Sequence, residues 1–97
     1  MKKFFLIEIE LNFNFRDRME SATYLMNQML ADGQIQTYSI SEDLNRMWIT
    51  MVADSDLEVW ELIAHLPVES IMEPIVTTLN THNQSIDLLF PAVSLNW

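Results

Sequence analysis

The 97-residue chain contains no cysteine, which excludes a disulfide framework, thiolate catalysis and thiolate ligation of a metal. It has one glycine, Gly33. A nucleotide-phosphate cradle made of backbone N–H groups needs a glycine-rich loop, and neither that loop nor a Walker pattern occurs. Basic residues are scarce: five Lys and Arg stand against fourteen Asp and Glu, a formal net charge of −9. Nucleic acids and anionic membrane surfaces are recognised by clustered cations, so this balance argues against both as partners. Long apolar runs are missing too. Lys2 and Lys3 precede Phe4, Phe5, Leu6 and Ile7 in the manner of a secretory leader. Glu8 and Glu10 end that run early, and no small-residue cleavage site follows. Nothing approaches the roughly 20 apolar residues that span a bilayer. A soluble cytoplasmic protein is the expectation.

What is present is a core. About half of the residues (49%) are apolar, enough for one domain over residues 1–97. At this length a monomer still leaves much of its surface exposed, so association into a homodimer or larger homo-oligomer is expected.

The first strand, Lys3 to Asn12, organises the rest. Successive strand side chains point to opposite sides. One side therefore carries Phe5, Ile7, Ile9 and Leu11; the other carries Phe4, Leu6, Glu8, Glu10 and Asn12. The second set is apolar at one end and acidic at the other. This predicts a central strand with helices on one face and a partly wet surface, suited to a pocket or a partner subunit, on the other.

Asn12 to Phe15 leaves that strand, and Asp17 with Glu20 three residues on reads as a helix N-cap. Met19, Ala22, Leu25, Met26, Met29 and Leu30 recur at helical spacing, and Gly33 falls where a helix takes a left-handed terminal residue. Gln34 to Ser41 reads as a strand, Ser41 to Asn45 as a turn, and Arg46 to Ala53 as a third strand. Met47, Ile49, Met51 and Ala53 form its apolar face, and Arg46, Trp48, Thr50 and Val52 a mixed one, so it is expected beside the first strand. Ser55 and Glu58 have capping-box spacing before a second helix whose buried stripe is Val59, Trp60, Ile63 and Leu66. Ile71 to Leu79 is extended again, and Pro74 within it predicts an edge strand or a bulge. Residues 83–97 form an apolar tail that is expected to pack on the domain or on a neighbouring subunit.

Strand, helix, strand, strand, helix, strand is the βαββαβ order of an α+β ferredoxin-like fold with a four-stranded antiparallel sheet. Its open sheet face invites pairing with a second copy.

Several of these features together resemble the muconolactone isomerase family. They are Ala31-Asp-Gly33 before the second strand, Leu66-Pro67 closing the second helix, the pair Met72-Glu73, and the spacing of Leu79 to His82. The matching register runs from Ala31 to Ile86. The resemblance implies a ferredoxin-like, dimeric α+β barrel that assembles into a larger ring. It further implies a cofactor-free proton shift on a small unsaturated lactone bearing a carboxylate, in a pocket between the sheet and a neighbouring chain. At pocket-facing positions of the first strand, where the family enzyme carries His and Lys, this chain has Leu6 and Glu8.

Glu8 and Glu10 share a strand face with apolar neighbours Phe4, Leu6 and Trp48, surroundings that raise a carboxyl pKa toward general-base use. The alternative is a wet subunit seam in which they pair with Arg46. His82 matches a family position, and histidine is the natural acid/base near neutral pH; a surface or capping histidine after the last strand is the commoner case. Arg46 is the candidate contact for an anionic substrate, with Trp48, Thr50 and Tyr38 as further substrate contacts. His65, near the end of the second helix, suits the helix dipole. Two histidines this far apart, without a carboxylate cluster, give no metal pattern. The leading expectation is an isomerase-like protein acting by proton transfer without cofactor or metal. The alternative is a non-enzymatic small-ligand-binding or structural homo-oligomer on the same scaffold.

Overall fold

Strand β1 (Lys3–Leu11) lies in the middle of a four-stranded sheet. A computed structural model of the chain describes residues 2–67 and 71–81. Helix α1 (Phe15–Ala31), strands β2 (Thr37–Ile40) and β3 (Arg46–Ala53), helix α2 (Asp56–Ile63) and strand β4 (Ile71–Leu79) follow in order. The sheet order is β2-β3-β1-β4 and every pairing is antiparallel. This is the ferredoxin-like α+β arrangement expected from the element order. The expected tail, 83–97, and His82 lie outside the described residues.

Strand parity sorts the core as predicted. Phe5, Ile7 and Ile9 of β1 are fully buried, and Met47, Ile49, Met51 and Ala53 of β3 pack with them. Each large apolar side chain taken fully out of water contributes about 1.5–3 kcal/mol, so this sheet face supplies much of the fold's stability. Helix α1 adds Phe15, Ala22, Met26 and Met29, and α2 adds Val59, Leu62 and Ile63.

Helix α1 starts earlier than Asp17. Asn12 Oδ1 accepts the Asn14 N–H at 2.9 Å and the Asn12 carbonyl accepts the Phe15 N–H at 3.0 Å. The chain therefore turns into the helix at Asn14 and carries Phe15 straight into the core, an anchor that the sequence reading treated as part of the exit. Starting there rotates the buried stripe, and Met19 and Leu30 emerge partly exposed. At the other end Gly33 adopts φ +78, the Gly33 N–H bonds the Leu30 carbonyl, and the Gln34 N–H bonds the Met29 carbonyl. Those two bonds are a Schellman motif, and its left-handed residue is the chain's one glycine.

Helix α2 begins after an extended Ser55, and Glu58 Oε2 accepts the Asp54 N–H at 3.2 Å. The anticipated capping box does not form: the Ser55 side chain makes no cap bond, and Glu58 reaches the N–H of Asp54, one residue before the cap. Trp60, expected in the core, is 45% exposed, and Leu62 takes the buried position instead. The buried side follows Val59, Leu62, Ile63 and Leu66, whose spacings of three and four leave Trp60 on the shoulder.

Pro74 does both things expected of it. Strand β4 is an edge strand, and its register against β1 shifts between Glu8 and Glu10. Glu8 faces Ile75 while Glu10 faces Met72, so Glu73 and Pro74 together oppose Ile9. This is a β-bulge, and Glu73 bends the strand there with φ +41.

Candidate functional site

The sheet face turned away from the helices can be described as rows across the strands. Glu10 faces Arg46 on β3 and Met72 on β4. In the next row Glu8 lies between Trp48 and Ile75, with Ser39 of β2 beyond Trp48. Leu6 lies between Thr50 and Thr77, with Thr37 beyond Thr50; Phe4 lies between Val52 and Leu79. Directly opposed side chains in antiparallel strands have Cβ atoms about 4.5–5.5 Å apart, so each row is a set of touching neighbours. The face is thus apolar at the Phe4 end, hydroxyl-rich in the middle and charged at the Glu10 end.

Five of the seven predicted site residues meet here: Glu8, Glu10, Arg46, Trp48 and Thr50. Their common placement follows from the parity of two neighbouring strands in register. Tyr38 does not join them. It faces Ile49 in the register of β2 with β3, which puts it on the helix side, where its hydroxyl donates to Asn27 Oδ1 of α1 at 2.7 Å. Its assignment as a substrate contact is corrected. Thr37, one residue earlier, reaches the open face instead, and its hydroxyl is hydrogen-bonded to that of Thr50 at 2.6 Å. The alternation of β2 was available in the sequence, but a four-residue strand leaves its phase to be set by the pairing with β3.

The charged end is partly self-neutralised. Arg46 Nη2 stands 3.5 Å from Glu10 Oε1, with the two side chains 45% and 51% exposed. A pair this exposed contributes about 0–1 kcal/mol, so it fixes geometry more than it adds stability. Arg46 is the one cation on this face of the described strands, and Glu10 is its partner. Glu8 has no hydrogen bond or ion pair to another described residue, and it is only partly buried. The two carboxylates are therefore chemically distinct. Glu10 holds an arginine, whereas Glu8 sits between an indole and an isoleucine that is itself 57% exposed.

The turn Ser41–Asn45 delivers Arg46 to this end. Asp43 Oδ1 accepts the Ser41 hydroxyl at 2.7 Å and the Asn45 N–H at 3.0 Å. Ser41 Oγ in turn accepts the Arg46 N–H at 3.0 Å. These bonds stabilise the charged carboxylate, the Ser41 hydroxyl foremost, and hold the Asp43 pKa below its ordinary value. Leu44, with φ +62, closes the turn.

His65 sits one residue past the Ala64 that caps α2, and its Nδ1 lies 2.8 Å from the Glu61 carbonyl, which is remote from the open face in sequence and element. Among the described residues no three His, Cys, Asp or Glu side chains gather closely enough to hold a metal ion. No described helix is long and apolar enough to cross a membrane. No protein-family model and no curated protein matches the chain.

Proposed function

We propose that the protein is a homo-oligomer that uses its open sheet face in two ways. The apolar end, around Phe4, Leu6, Val52 and Leu79, pairs with a second copy. The charged end holds a small carboxylated molecule and shifts a proton on it without a cofactor, as the resemblance to the muconolactone isomerases implies. Glu8 is the base, Trp48 a wall of the site, and Arg46 the contact for the carboxylate. The observation that carries this reading is the placement of Glu8. It is the unpaired carboxylate of the face and is flanked by Trp48 and Ile75. A second sheet closed over it would exclude the remaining water from the site.

In such a reaction the carboxylate removes a proton from the carbon next to the lactone's conjugated system. The electron pair moves through the double bonds, and the proton returns at the far carbon, so that nothing is gained or lost overall. The test is turnover of a small unsaturated carboxylated lactone in deuterated water, followed by NMR. Deuterium should enter the lactone with the native protein, and Glu8→Gln should lower the rate by roughly 10²-fold or more, the contribution of a positioned general base. Exchange by the native protein no faster than in buffer sinks the catalytic reading.

A second reading, a small-ligand-binding or structural homo-oligomer without turnover, draws on the Arg46–Glu10 pair. An arginine already engaged by a carboxylate offers less to an anionic substrate. Native mass spectrometry separates the two: an oligomer that retains a ligand while catalysing no exchange belongs to the second.

A further inference from the structure

On the opposite side of the sheet the two helices do not close over β3. Between them lies a cavity of about 360 Å³, within the size range of small-molecule sites. Its apolar wall is made by Leu25 and Met29 of α1, Met51 of β3 and Leu62 of α2. Two of these four are methionines, flexible side chains that adapt to an irregular guest. Gly33 borders the cavity at the end of α1, and a Cβ built on it would meet nothing within 4 Å.

The polar side chains on the lining are two acids, an amide (Gln34) and a histidine. Glu58 and Glu61 contribute carboxylates, and His65 contributes an imidazole whose Nδ1 lies 2.8 Å from the Glu61 carbonyl. A carbonyl only accepts, so the ring is the donor in the hydrogen bond at Nδ1. Glu58 already accepts the Asp54 N–H; the Glu61 carboxylate has no partner among the described residues. No Lys or Arg lines the cavity. Helix α1 also ends at its edge with no basic residue in its last turn, so the partial negative charge of that terminus is not offset locally.

We infer that this cleft is a second binding site, separate from the open sheet face, for a small primary amine: an ammonium group against Glu61, and an apolar stem over Met29, Met51 and Leu62. An anion meets two carboxylates and a helix C-terminus there, and an uncharged apolar molecule brings the Glu61 carboxylate no donor. A metal ion is a poor fit for the same groups, because they do not converge as a ligand set.

Titration of the full chain with hexylammonium, hexanoate and hexanol, followed by amide NMR, tests the site. Hexylammonium should produce saturable shifts at Gly33, Leu62 and His65, whereas hexanoate should leave them unmoved and hexanol should bind more weakly. Glu61→Gln, a change on an exposed helix position, should weaken hexylammonium binding roughly tenfold, the loss of one charge-assisted contact. Ammonium chloride at equal concentration controls for general salt effects. Equal shifts with hexanoate, absence of saturation with hexylammonium, or unchanged affinity in Glu61→Gln would each overturn the assignment. The outcome is independent of whether Glu8 catalyses anything.

Discussion

On β1 the side chains facing the helices, Phe5, Ile7 and Ile9, are fully buried, while Phe4, Leu6 and Glu8 on the other side are only partly so. The two faces share a backbone, a register and a set of neighbouring strands. What differs is what lies across from them. The helix face is covered by α1 and α2, and the residues of β1 and β3 buried beneath them are all apolar. The open face mixes phenylalanine, leucine, threonine, tryptophan and paired charges, a composition that neither a dry core nor a fully wetted surface requires. The proposed pairing and the proposed ligand site each draw on one of its two unequal ends.

The largest test of this contrast is a pair of truncations, one on each side of the first strand. Ile9→Ala opens a cavity in the core and should cost about 2–5 kcal/mol. Leu6→Ala removes a partly exposed side chain and should cost roughly 1 kcal/mol or less in dilute protein. Urea denaturation reads both. If a second copy covers the open face, the cost of Leu6→Ala should grow with protein concentration while that of Ile9→Ala does not, because association stabilises only the folded, paired state. Equal costs at all concentrations would erase the distinction between the faces.

A smaller effect separates the charged end from the apolar one. A double-mutant cycle on Glu10→Gln and Arg46→Gln should give a coupling of about 0.2–1 kcal/mol that fades with added salt, as for other exposed pairs. Coupling that persists in high salt would mean that the pair is shielded from water in the assembled protein, and would sharpen the case for a covered face.

The helix side of this comparison was the more legible from residues alone. Alternation in β1 and β3 named nearly all of its strand contribution, Gly33 fixed the end of α1, and Pro74 announced both an edge and a bulge. Those signals are local and leave few alternatives. The helices were read less well, because amphipathic spacing gives a stripe but not its centre. Trp60 lies on the margin of its stripe and was drawn inward by its size, and Phe15 was passed over because it precedes the periodic run. At the open face, strand parity gathered Glu8, Glu10, Arg46, Trp48 and Thr50 correctly. Tyr38 lies apart from them, on the helix side, since the phase of short β2 depends on its register with β3. The division of labour between Glu8 and Glu10 was not legible at all: two carboxylates on one face look alike until the register gives one of them an arginine.

The turn before β3 gives the smallest effect, and it concerns how Arg46 reaches its place. Asp43 accepts the Ser41 hydroxyl and the Asn45 N–H, and these bonds favour its charged form. Its folded pKa is therefore below the unfolded one, near about 3.9. The stabilisation is present above the unfolded value and is lost as pH falls through the folded value. Asp43→Asn should lower the melting temperature slightly at neutral pH, and the gap from the native protein should narrow only in acid, below roughly pH 4. Because Asp43 is fully exposed, the shift should be small. A gap that stays constant down to pH 2 would show that the charge on Asp43 does not hold the turn. The hairpin would then position Arg46 through backbone shape alone, and the charged end of the open face would owe nothing to the ionisation of the loop beside it.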